Sequence, residues 1–81
     1  MGEATTDQTV LDHIQRLVTE EEQIMARGVR SDSDRDRLKD LGVALDQAWD
    51  LLRQRRALRE FGRDPSGAEV RSAEVVEKYL G

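Results

Sequence analysis

The stretch DRDRLKDLGVALDQAWDLLRQRRALREF, residues 34–61, decides the fold. Its apolar residues repeat every seven positions in two columns, a first column of Leu38, Leu45 and Leu52 and a second column of Ala44, Leu51 and Leu58. At about 100° per residue, counted from Leu38, the first column lies near ~340° and the second near ~220° around a helix. One neighbouring helix does not cover an arc this broad, so we expect the excess apolar face to meet another element or another subunit.

The length and composition indicate one small domain without covalent reinforcement. A chain of 81 residues buries only about 60–65% of the surface that its unfolded form exposes, so its core is marginal without support. The sequence has no cysteine and one histidine, which excludes a disulfide and argues against a structural metal within one chain. We therefore expect residues 1–81 to form a single domain with no cofactor or metal, supported by oligomerisation.

The balance of residue types favours a helical protein. Charged residues make up 37% of the chain and aromatic residues 4%, and the mean hydropathy is −0.71. These values are typical of helical hairpins and coiled coils rather than of β-proteins or enzymes with deep pockets. No apolar run approaches the length of a membrane span, and the N-terminus lacks an export signal. We expect a soluble, cytoplasmic protein that does not bind membranes.

The net charge of −4 is divided unevenly along the chain. Residues 1–34 carry three basic and eight acidic groups, whereas residues 35–63 carry eight basic and five acidic groups. Residues 64–81 carry two basic and four acidic groups. The acidic and basic stretches are the two arms of a predicted hairpin, so we expect electrostatic attraction between these arms.

Capping and turn residues divide the chain into three helices. Thr6 or Asp7 caps the first helix, and Gly28 suits the position that follows it. Gly62 ends the second helix, and Ser72 caps the third. The predicted elements are a frayed N-terminus (1–6), helix 1 (about 8–27), helix 2 (about 34–61), a turn or linker (62–72) and helix 3 (about 73–80).

Helices 1 and 2 are expected to pack as antiparallel neighbours because the connection between them is short. Pairing them about the centre of the loop sets Val18 near Leu45 and Val10 near Leu52. Helix 1 then covers the first column and leaves the second column open for helix 3 or a second subunit. We predict an all-α antiparallel hairpin that dimerises into a four-helix bundle, with a subunit seam at Ala44, Leu51 and Leu58.

Three segments of the chain together resemble a known protein family. They are residues 13–21, the string LDQAWDLLRQRRALRE at residues 45–60, and the tail Asp64–Val76. The pattern resembles a small bacterial helical family, domain of unknown function 2630, over nearly the whole chain. Ser72 stands where that pattern has a proline. The resemblance implies a compact helical single-domain protein and assigns it no activity.

Glu21 lies in the middle of the apolar stripe of helix 1. A carboxylate in an apolar seam is costly unless it is paired or neutralised. The hairpin register brings it near Gly42, with Arg35 and Lys39 about one turn away, so we predict a buried ion pair among these residues. A metal or ligand role and an exposed position stay open. Close approach of helix 1 is expected to offset the cost of Gly42, about 1 kcal/mol relative to alanine in mid-helix.

Five arginines between Arg53 and Arg63 form a basic cluster. They either complement the helix dipole and nearby acidic groups, form a protein-docking patch, or bind nucleic acid. Nucleic acid is the least favoured partner, because the total charge is acidic and we interpret Trp49 as a core anchor rather than a stacking platform. The interface candidates are therefore Ala44, Leu51, Leu58, Arg55, Arg56 and Arg59.

No pattern of nucleophile and base indicates catalysis, since the sequence lacks cysteine and its serines cluster in caps and turns. We expect a non-enzymatic interaction or adaptor module that forms a homodimer and binds an unidentified protein partner. One alternative is a nucleic-acid-associated regulator that uses the cluster from Arg53 to Arg63. Another is a carboxylate-rich bundle that binds a metal or small ligand, with two His13 side chains gathered in a dimer.

Overall fold

A computed structural model of the protein describes the backbone of residues 5–80 and the side chains of residues 5–76. Its elements are α1 (Asp7–Arg27), α2 (Asp32–Glu60), a 3₁₀ turn (Pro65–Gly67) and α3 (Ala73–Leu80). Residues 5–80 contain no strand, so the all-α prediction with two long helices and a short third helix is confirmed. The predicted frayed N-terminus falls mostly on residues 1–4, outside the described residues.

Side-chain caps set where the two long helices begin. The Thr6 hydroxyl accepts a hydrogen bond from the Thr9 amide at 3.1 Å, and the Thr9 hydroxyl accepts one from the Thr6 amide at 2.9 Å. Ser31 caps α2 in the same way by accepting from the Asp34 amide at 3.1 Å. Each cap satisfies amide groups that have no partner within the helix. With Ser31 as its cap, α2 begins at Asp32, two residues earlier than predicted.

The connection between α1 and α2 is short and held at both sides. Gly28 follows α1 with a φ of +85°, a conformation that favours glycine and stops the helix. Arg27 then donates two hydrogen bonds to the Asp34 carboxylate, at 3.0 and 2.8 Å. The guanidinium holds the pKa of Asp34 below its ordinary value. This forked pair links the end of α1 to the start of α2 and fixes the antiparallel turn.

The core lies between α1 and the inner face of α2. Val10, Ile14 and Ala48 form a buried cluster, against which Val18, Leu45, Leu51 and Leu52 pack. Leu41 is almost completely buried nearer the loop. These contacts fit the predicted register of the hairpin and show that the second column also contributes to the core, through Leu51.

The C-terminal segment folds back along α2. The Arg63 amide donates to the Leu58 carbonyl at 2.7 Å, and Gly67 lies beside the Leu58 side chain. Further along, Ser72 caps α3, and Val76 is completely buried. The chain itself therefore covers part of the second column. A four-helix bundle of two hairpins stays a prediction. None of the described helices is both long and apolar enough to cross a membrane.

Candidate functional site

A groove runs along one side of the hairpin, between the start of α1 and the second half of α2. We call it the tryptophan–arginine groove; it has a volume of about 420 Å³ and is lined by Asp7, Leu11, Trp49, Leu52, Arg53, Arg56 and Arg59. Its floor combines apolar side chains with a row of arginines. This pairing of surfaces suits a ligand that is partly apolar and partly acidic.

Trp49 stands exposed in this groove, with 44% of its surface accessible, and the prediction that it anchors the core is wrong. The buried position is taken by the preceding residue, Ala48, whose small side chain lets α1 approach closely. Leu11 of α1 lies on the same side and is also exposed. An aromatic platform beside the arginines does exist, which removes one of the two sequence arguments against nucleic acid.

Two of the cluster arginines are occupied within the chain. Arg55 Nε donates to Asp7 Oδ1 at 2.8 Å, and Arg59 Nη1 lies 2.6 Å from Asp7 Oδ2. Arg55 is 7% exposed and also donates to the Pro65 carbonyl at 3.3 Å. The prediction that Arg55 is an interface residue is therefore wrong, because Arg55 connects α1 to the C-terminal segment. Hydrogen bonds from Arg59, which has the larger effect, and from Arg55 lower the pKa of Asp7 from 3.8 to about 2.

Arg53 and Arg56 are different, because both are exposed. Within the described residues neither takes part in a hydrogen bond or an ion pair. They follow Trp49 by one and two turns along α2, on the same face. Of the three arginines that line the groove, these two are available to an external anion.

The predicted buried ion pair of Glu21 is wrong. Arg37 instead binds Glu20, with its Nη2 2.8 Å from Glu20 Oε1, and this contact lowers the pKa of Glu20. Arg35 is exposed and lies 3.7 Å from Asp32 of its own helix, and Lys39 is exposed as well. The antiparallel register sets residue 20 rather than residue 21 across from the basic side of α2. Glu21 itself is half-buried on α1.

Gly42 also departs from the sequence expectation. An added Cβ at Gly42 meets nothing within 4 Å. Close approach of α1 is therefore not the reason for a glycine at this position. The chain accepts a helix-weakening residue that its own packing does not require.

An apolar cleft of about 240 Å³ opens on the other side of α1. It is lined by Thr5, Thr9, Val10, His13, Ala44, Gln47, Ala48, Leu51 and Val70. The predicted seam residues Ala44 and Leu51 lie here, half-buried. His13 is exposed at the rim. Among residues 5–76 no three histidine or carboxylate side chains gather into a group that holds a metal ion.

Three polar residues of α2 bind the C-terminal segment, an arrangement that we call the polar clasp: Gln47, Asp50 and Gln54. Gln54 Nε2 donates to Asp50 Oδ2 at 2.8 Å and to the Glu69 carbonyl at 2.7 Å. Gln47 donates to the Arg71 carbonyl at 3.2 Å, and Arg71 Nε lies 3.6 Å from Asp50. Sequence reasoning missed this arrangement, although the i, i+3, i+7 spacing places all three residues on one face.

Together these features define a small all-α hairpin whose C-terminal segment is bound along its second helix, with an exposed tryptophan–arginine groove. The family model described as "Protein of unknown function (DUF2630)" matches residues 6–81. The chain belongs to this family, which confirms the resemblance seen in the sequence.

Similar proteins come from mycobacteria. Uncharacterized protein Rv0898c of Mycobacterium tuberculosis strain H37Rv is 45% identical over 84 residues, covering 99% of this chain and 97% of the relative. Uncharacterized protein Mb0922c of Mycobacterium bovis has the same identity and coverage. No solved structure matches the chain.

Proposed function

We propose that this protein is a non-enzymatic interaction module that works as a homodimer and binds other proteins. The observation that carries the proposal is Trp49, exposed in a groove beside Arg53 and Arg56, which have no partner within the described residues. Tryptophan and arginine are the residue types that contribute most often to binding energy at protein interfaces. A small chain gains stability when a partner covers such a surface.

The non-enzymatic part of the proposal is supported by where the reactive groups lie. The two buried charged residues among those described are Asp50 and Arg55, and both take part in ion pairs that join parts of the fold. His13 lies at the rim of an open apolar cleft. No nucleophile–base pair is found among the described hydrogen bonds, so binding explains these side chains better than catalysis.

Sedimentation equilibrium at micromolar concentration tests the homodimer directly. We expect a mass twice that of the 9.2 kDa chain, with dissociation on dilution. A monomer that melts cooperatively contradicts the homodimer. Affinity capture of the wild-type chain from the native cell tests the adaptor role. A second protein captured in stoichiometric amount supports it, and capture of the chain alone contradicts it.

A nucleic-acid-associated regulator is the second candidate, because Trp49 supplies the stacking platform that such proteins use next to their cations. Against it stands the net charge of −4, which repels a polyanion. Nucleic-acid binding through Arg53 and Arg56 must weaken steeply as salt rises. A fluorescence anisotropy titration with a labelled single-stranded oligonucleotide at low salt decides this, and the absence of a signal change ends the hypothesis.

A further inference from the structure

We propose that two copies of this chain associate through the face that carries Trp49, with the acidic end of α1 in one copy against the basic end of α2 in the other. The proposal rests on the homodimer proposed above and names its interface and the contacts that hold it. It replaces the seam at the second column that the sequence predicts.

The face is continuous across both long helices. Leu11, Val18, Glu22 and Met25 share one side of α1 at spacings i, i+7, i+11 and i+14. Gly42, Trp49, Arg53 and Arg56 share one side of α2 at the same spacings. Leu11 and Trp49 line the same groove, so the two stripes form a single surface. Met25, Trp49 and Leu11 expose 62%, 44% and 40% of their surfaces on it.

Some charges on this face are paired within the chain, such as Asp7 with Arg59, but unpaired charges of opposite sign lie at its two ends. Glu22 is exposed near the loop, and Arg53 and Arg56 are exposed near the other end of the hairpin. None of the three has a hydrogen bond or ion pair within the described residues. In the hairpin register Glu22 and Arg53 are about 12 residues apart along the axis, roughly 18 Å, too far to meet within one chain.

A second copy satisfies both ends at once. A two-fold axis that lies in the face and runs across the helices, midway between Glu22 and Arg53, exchanges the two ends. Glu22 of each copy then meets Arg53 of the partner, and the contact forms twice. A nucleic acid satisfies the arginines alone and leaves Glu22 facing a polyanion. Charge complementarity therefore favours a second copy as the occupant.

Gly42 supplies an independent observation. Nothing in the chain lies within 4 Å of an added Cβ there, so intrachain packing does not explain a glycine in the middle of α2. Gly42 precedes Trp49 by two turns on the same face, at about the level of Glu22. The missing side chain lets the backbone of a partner helix or its Trp49 side chain approach closely.

The second column offers less to a partner. Leu58 lies beside Gly67 of the C-terminal segment, and Leu51 packs against the core cluster. The polar clasp holds residues 69–71 next to the cleft that Ala44 and Leu51 line. The chain's own tail thus occupies much of the space that a subunit needs on that side.

Charge-reversal variants, measured by sedimentation equilibrium, test the interface. Glu22→Arg and Arg53→Glu each place like charges opposite one another twice, so we expect each variant alone to dimerise about tenfold more weakly or worse. An equimolar mixture of the two restores opposite charges at both contacts and must recover the dimer. Arg16→Glu, the same charge change at an exposed position on another side of α1, leaves the dimer unchanged. Dimerisation of both single variants at the wild-type strength overturns the proposal.

Gly42→Gln tests the same face without a change of charge. The open space at Gly42 accepts the side chain in the free chain, so its circular dichroism and thermal unfolding when dilute must show a folded hairpin. The dimer must weaken in the same variant. If Gly42→Gln and the charge variants dimerise normally while Leu51→Glu does not, the subunit seam is at the second column. That result supports the homodimer and contradicts the interface proposed here. A wild-type chain that is monomeric contradicts the homodimer itself.

Discussion

Replacing Gln54 by alanine removes the centre of the polar clasp. Its Nε2 group donates to Asp50 at 2.8 Å and to the Glu69 carbonyl at 2.7 Å, and its Oε1 accepts from the Glu69 amide at a longer 3.4 Å. Asp50 is 4% exposed, so water does not readily replace the lost donor. We expect Gln54→Ala to loosen the C-terminal segment and leave the α1–α2 hairpin folded.

The size of the effect follows from the bonds that are lost. A hydrogen bond to a charged group contributes about 1.5–3 kcal/mol net, and one to a neutral carbonyl about 0.5–1.5 kcal/mol. The Gln54–Asp50 bond lies within α2 and does not hold the segment. The lost bond to the Glu69 carbonyl therefore sets the cost, about 0.5–1.5 kcal/mol in the free energy that holds the segment on α2, without counting the long bond. Since about 1.4 kcal/mol corresponds to a factor of ten, the detached state becomes roughly 2- to 12-fold more populated.

Native-state hydrogen exchange measures this population segment by segment. Amides of residues 69–76, including that of Val76, which donates to Ser72, must exchange faster by that factor in Gln54→Ala. Amides in the middle of α2 must keep their wild-type rates. Gln15→Ala is the matched control, because Gln15 makes only an exposed 3.4 Å contact with Thr19. Wild-type exchange of residues 69–76 in Gln54→Ala refutes the role assigned to the clasp.

Three further outcomes are expected. Folding lowers the pKa of Asp7 from 3.8 to about 2, so its ionised carboxylate stabilises the fold fully above about pH 4, and this contribution is lost as the pH falls toward 2. Acid unfolding followed by circular dichroism must therefore depend less on pH in Asp7→Asn than in the wild-type chain. Gly42→Ala, measured in dilute monomer, raises stability by about 1 kcal/mol and the melting temperature by roughly 4–8 °C, whereas a decrease indicates a contact at Gly42. In urea unfolding of the dilute monomer, Leu41→Ala destabilises the chain by about 2–5 kcal/mol, while Met25→Ala, at a site exposed in the free chain, changes stability by less than about 0.5 kcal/mol.

Features with local causes could be predicted from the sequence. The bounds of α1 follow from Thr6 and Gly28, whose capping and φ requirements act within one turn. The hairpin follows from apolar periodicity and a short loop. The polar clasp could not be predicted in this way, because Gln47, Asp50 and Gln54 gain their meaning from the backbone of a distant segment. Hydrophobic periodicity alone predicts that such polar residues are solvent-exposed, so it assigns them no partner.

The errors at Trp49 and Gly42 have one physical cause, the rotation of α2 about its axis. Counting as before from Leu38, the buried residues Leu41, Ala48 and Arg55 lie at about 300°, 280° and 260°, so α1 meets α2 near ~280° rather than near the first column at ~340°. That rotation of about 60° brings Leu51 into the core and turns Trp49 and Gly42, at about 20° and 40°, outward together. The chain therefore covers part of its second column, and its first column stays half-buried with Trp49 exposed beside it. The surface that we propose as the dimer interface is the one with the tryptophan, and a partner that binds there must present charges complementary to the unpaired charges at its two ends.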